Sequence, residues 1–233
     1  MNPAPRRRNL LGALAAAGLL TSIERLGLIR AALANGANPV PPGLHRIKGA
    51  VSVNGQPARE GQSIRPGDTV ATGPGAEALY VIGQDAFLQR ASSTVSFGAD
   101  MANFMRVVSG RLLSVFGKGS RSIHVATATI GIRGTACYIE EPEKVGAGGT
   151  APTYFCLCYG EARVIPKAAP QAWETVITTH HDHPLYIHDD PKMATTMVSA
   201  PVINHTDAEL VMLENLVGRW PPFYGKVDTG YRL

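Results

Sequence analysis

The sequence predicts a mainly β protein: an all-β region of short strands, built as a sandwich or roll, then a small β extension closed by one C-terminal amphipathic helix. Three observations carry this. From His45 to Tyr138, turn-forming glycine pairs recur every eight to twelve residues. Between them lie short runs whose apolar members fall two apart, as in Val51/Val53, Leu79/Val81, Ile123/Val125 and Ile130/Ile132. That period belongs to strands, whose side chains alternate between faces. Only the tail, "NHTDAELVMLENLVGRWPPF", places apolar residues at helical spacing.

In chain order, Arg6, Arg7 and Arg8 precede an uncharged apolar run from Leu10 to Leu20. That run is too short for a bilayer, which takes roughly 20 residues. With the small-x-small site Ala32-Leu33-Ala34, residues 1–34 read as a twin-arginine export signal, and the protein as periplasmic. The signal holds five of the 22 basic residues (Arg6, Arg7, Arg8, Arg25, Arg30) and one of the 18 acidic ones (Glu24), leaving 17 of each in the mature chain. The net charge of +4 thus sits in the signal and argues for neither nucleic acid nor anionic lipid as a partner. No transmembrane segment is expected in the mature chain.

Residues 45–141 form the first predicted unit. Asn54-Gly55 suits a two-residue hairpin that needs positive φ at both positions. Gly131 and Gly134 let the strand around "TIGIRGT" bend or bulge, and Arg133 reads as a donor fork for loop carbonyls. After the glycine-rich "PEKVGAGGTAP", residues 153–223 form the second unit. "TYFCLCYGEARVIP" reads as a strand, a turn near Gly160 and another strand, and "ETVITTHHDHPLYIHD" continues extended. Thr206 stands three residues before Glu209, the spacing of a capping box. Leu210, Leu213, Leu216 and Val217 follow at helical spacing, and Gly218 stops the run.

Three pieces also carry a family resemblance: Val51 to Gly55, Gly67 to Gly73, and Thr127 to Thr135 with its "GIRGT". Together they resemble a FecR-type periplasmic domain over about residues 45 to 140, with Ala128 standing where that family has proline. The "TYFCLCYG … HHDHP … NHTD" tail resembles the C-terminal extension of stand-alone members. The resemblance implies a non-enzymatic sensing or partner-binding module of the cell envelope. The family's transducers add a cytoplasmic anti-sigma segment and a membrane span. With five residues before its arginines, this chain is expected instead to be a soluble binder of an envelope protein.

Chemistry concentrates in the extension. Cys156 and Cys158 point to one face of a strand, with Leu157 on the other. Their Cα atoms then lie about 6.5 Å apart, at the edge of disulfide range. Three readings stay open, one of them thiol-redox chemistry at these cysteines. In a second, Cys156 and Cys158 join His180, His181 and His183 as soft ligands for zinc or copper, with Asp182 orienting an imidazole. If that segment is extended, His181 and His183 share a face and His180 opposes them. In the third, a hairpin across residues 142–152 brings Cys137 near Cys158 for a disulfide, with the histidines on the surface. His188, Asp189 and Asp190 read as a solvated loop. Ser120, Ser122 and His124 come without a G-x-S-x-G elbow, and no catalytic constellation is expected.

Overall fold

The computed structural model describes residues 38–100, 102–142 and 151–225; the expected export signal lies outside them. Fourteen strands join in a single sheet. In chain order they are β1 (Gly43–Lys48), β2 (Val51–Val53), β3 (Gln56–Pro57), β4 (Thr69–Thr72), β5 (Glu77–Ile82), β6 (Asp85–Gln89) and β7 (Ser93–Phe97). Then come β8 (Met105–Val115), β9 (Ser120–His124), β10 (Ala128–Glu141), β11 (Thr153–Pro166), β12 (Glu174–Thr178), β13 (Leu185–Ile187) and β14 (Met197–Ser199). Helix α1 (Asp207–Leu216) is the one α-helix among the described residues. The mainly β architecture with one C-terminal helix is as the sequence predicts.

Strand β8 organises the sheet. Its first half pairs with β7 and, in parallel, with β9; its second half pairs with β6 and β10. The sheet thereby coils around an aromatic interior in which Tyr80, Phe87, Phe97, Phe104 and Phe116 meet edge to face or stacked. The Asn54-Gly55 turn forms as expected, with φ of 53° and 76°. Other glycine signals do not reverse the chain. Gly110, Gly134 and Gly160, at φ of 87°, 59° and 99°, sit inside β8, β10 and β11 as bends in strands of 11, 14 and 14 residues. A Cβ on Gly110 would fall 2.4 Å from the Cα of Ser93, so only glycine allows β7 to approach β8 there.

The central strands are buried on both faces. Tyr80, Phe87, Leu112, Cys137, Ile139, Phe155 and Leu157 fill the coiled interior. Their alternates, including Leu79, Val81, Leu88, Leu113, Tyr138, Tyr154, Cys156 and Cys158, form a second apolar layer outside. Helix α1 covers that layer with Leu210, Met212 and Leu213. Its start is the expected capping box: the Thr206 hydroxyl accepts the Glu209 N–H, and the Glu209 carboxylate accepts the Thr206 N–H. Strand β11 pairs with β10 at eleven positions, so the extension continues the same sheet. Polar links add to the docking: the buried pairs Arg90–Glu209 and Tyr159–Glu214, and the more exposed Arg219, which holds both Glu214 and the Gln84 carbonyl.

Candidate metal centre

Strand β11 supplies the two sulfurs. The two-residue period sends Cys156 and Cys158 outward beneath the helix, and both are 0% exposed. After β12 the chain turns instead of running on extended. The Asp182 carboxylate gathers the Thr179 N–H, the Thr178 and Thr179 hydroxyls and the His180 N–H, which winds residues 178–182 into a loop. These donors, the Thr179 N–H foremost, hold the Asp182 carboxyl down at about 2. Asp182 therefore builds the turn and does not orient an imidazole. His181, at φ 53°, donates its backbone N–H to the Cys158 carbonyl, and its ring swings over the sulfurs.

The fourth group comes from the segment ahead of helix α1. The Tyr154 hydroxyl bonds the Pro201 carbonyl, and Asn204 bonds Glu140 and adopts φ 57°, which sets the path of the chain. His205 then stacks on Tyr138 at 4.7 Å and points at His181. Cys156, Cys158, His181 and His205 offer four ligand atoms that all lie within 4.8 Å of one another. Both histidines are only 5% exposed.

Hydrogen bonds on the far side of each ring fix what faces inward. His205 Nδ1 lies 2.7 Å from the Ile203 carbonyl, which can only accept, so that nitrogen carries a proton. His181 Nε2 lies 3.2 Å from the Asp207 carboxylate and donates to it in the same way. In neutral rings the remaining nitrogens, His181 Nδ1 and His205 Nε2, are then lone pairs, and they face each other at 3.0 Å. The Cys156 sulfur is 3.4 Å from the same His181 nitrogen. Two sulfurs and two ring nitrogens thus converge on one point, where a bound cation or a proton on His181 Nδ1 can sit between them. Zinc bonds of about 2.3 Å to sulfur and about 2.0 Å to nitrogen put tetrahedral corners about 3.3–3.8 Å apart, against 3.0 Å between the two ring nitrogens, 3.4 Å from Cys156 to His181, and at most 4.8 Å across the set.

The electrostatics favour a thiolate at Cys156 beside a protonated His181. The Cys158 thiol, followed by the His181 and His205 imidazoles, holds the Cys156 thiol well below its ordinary range despite burial. Burial opposes charge on His181, but its bonds to Asp207 and Cys156 raise it to about 9. Burial drives Cys158 and Cys137 the other way, well up. Cys156, His181 and Asp207 also line up as a thiol, an imidazole and a carboxylate. A nucleophile needs a path to its substrate, however, and this sulfur has no exposed surface.

Of the expected ligands, the fold brings together Cys156, Cys158 and His181. His180 faces Asp207, at 2.9 and 3.0 Å, and not the sulfurs. His183 is exposed on the turn and takes no part in the cluster. The expected Cys137–Cys158 disulfide is absent, and all three cysteines are free. Register explains this: Cys137 pairs with Leu157, so it faces the coiled interior while Cys158 faces the helix. His205 and Asp207 were not expected. Their one sequence signal is position, on either side of the helix cap Thr206.

No family model matches the sequence, and no curated protein matches it. Among solved structures, two crystal structures of a "putative anti-sigma factor" from Parabacteroides distasonis are similar. Each shows 6% identity and a TM-score of 0.45 over 57% of this chain. The aligned part spans 58% of that protein's length.

Proposed function

We propose that this protein is an exported, non-catalytic binding module of the cell envelope whose fold is completed by one structural zinc ion. The observation that carries the metal reading is the pair of imidazole nitrogens, 3.0 Å apart and flanked by two buried cysteines. Cys156, Cys158, His181 Nδ1 and His205 Nε2 would hold the ion. All four positions are taken by protein, which is the pattern of a structural site and leaves no coordination position for a substrate. A bound Zn²⁺ supplies charge to neutralise two thiolates and a cross-link between β11, the 178–182 turn and the approach to α1. The chain's own residues orient the rings and exclude water.

The test is the metal content of protein purified without metal-affinity steps. One equivalent of zinc is expected, with Co²⁺ replacing it to give the absorption of a tetrahedral S2N2 site. Copper in its place would change the metal but keep the site. Metal-free protein with two of three thiols oxidised would overturn the reading.

The envelope part rests on the N-terminal arginines with their apolar run, and on the FecR-like resemblance of Val51–Gly55, Gly67–Gly73 and Thr127–Thr135. A folded reporter fused to residues 1–40 is expected in the periplasmic fraction, and in the cytoplasm of a strain lacking the twin-arginine translocase. Retention in the cytoplasm of both strains would refute export.

A further inference from the structure

The groups just outside the four ligands are arranged as specifically as the ligands. Asp207 is the first residue of helix α1, directly after the cap Thr206. Its carboxylate lies 3.2 Å from His181 Nε2 and 2.9 Å from His180 Nε2, so two imidazoles share one acceptor. His180 in turn packs at 4.5 Å on Phe223, which closes this side of the centre. The two histidines are unequal: His181 is buried and turns its other nitrogen to Cys156, whereas His180 is partly exposed and groups with His181 and Asp207.

A free imidazole can present either nitrogen to a metal. The nitrogen that ligates is set by what the other one donates to. Rotating His181 to present Nε2 would strip the Asp207 carboxylate of a donor inside a largely buried site.

We infer that Asp207 is a positioning residue of the centre: it accepts the Nε2 proton of His181, fixes Nδ1 as the ligating atom, and ties the first turn of helix α1 to the metal. This rests on the zinc reading above. His180 is then a second donor that steadies the carboxylate and is not itself a ligand, although His180, His181 and Asp207 lie close enough together to suggest a second metal position.

The experiment is zinc affinity of the full chain, by competition with a chromophoric chelator, alongside Co²⁺ absorption. Asp207→Ala is expected to weaken zinc about 10- to 100-fold. Asp207→Asn, which keeps an acceptor oxygen, should recover part of the loss. Both should bind one equivalent and leave the Co²⁺ band positions unchanged, because the four ligands remain. His180→Ala should keep the stoichiometry and lose less affinity than Asp207→Ala. Unaltered affinity in Asp207→Ala would overturn the inference, as would two equivalents in the unsubstituted protein or a Co²⁺ spectrum that loses a ligand. So would an affinity loss matched by equal melting of the metal-free Asp207→Ala protein, since the carboxylate would then serve only the helix. If the unsubstituted protein takes up no metal at all, the zinc reading itself falls.

Discussion

Cys158→Ser is expected to abolish stoichiometric zinc and to lower the melting temperature by about 10 °C. At free zinc a thousandfold above its dissociation constant, a metal bound only by the folded state contributes about 4 kcal/mol. For a chain of this size each kcal/mol shifts the midpoint by about 2–4 °C. The comparison that isolates the metal is Cys137→Ser, the same chemical change on the other face of the sheet. It places a hydroxyl in the coiled interior, at about 1–3 kcal/mol, yet should keep its zinc. Chelator should therefore lower the melting temperature of the unsubstituted protein and of Cys137→Ser, and leave Cys158→Ser where it is. Equal chelator sensitivity in all three would place the metal elsewhere.

Arg90→Ala is expected to cost about 3–5 kcal/mol, because it leaves a buried carboxylate uncompensated. The Arg90 guanidinium donates to both oxygens of Glu209, at 2.9 and 3.0 Å, and to the Asn204 carbonyl, with both side chains buried. It also lies 5.9 Å from the centre of the Tyr138 ring on which His205 stacks. Exchanging both partners for apolar residues, Arg90→Met with Glu209→Leu, should recover most of the loss, because burying an ion pair itself costs desolvation. Urea titration measures both. A single variant costing less than about 1 kcal/mol, the range of exposed pairs, would mean that the pair is solvated in solution.

What could be read in advance divides along the range of the interactions. The capping box, the Asn54-Gly55 hairpin and the shared face of Cys156 and Cys158 depend on neighbours in the chain, and each appears in the structure. The glycines at 110, 134 and 160 were ambiguous, because a positive φ serves a bulge inside a long strand as well as a reversal. For Cys137 the decisive quantity was register, where a difference of one residue moves a side chain to the opposite face. The histidines read as extended because Thr178, Tyr186 and Ile187 favour strands. The Asp182 carboxylate, by collecting donors from residues 178–180, overrode that preference locally. His205 joins the centre only because helix α1 docks on β6 and β8, a contact that no local pattern encodes.

The two-sided burial of the central strands sets an order in time. Arg90 and its helical partner Glu209 are 119 residues apart. The outer face of β5, β6 and β8 therefore leaves the ribosome long before the helix that covers it. At about 5–20 residues per second, the interval is roughly 6 to 24 s. For those seconds Leu79, Val81, Leu88 and Leu113 form a greasy platform on a growing chain. Nascent-chain chaperones have that long to engage it, and the four candidate ligands come together only once His205 has emerged.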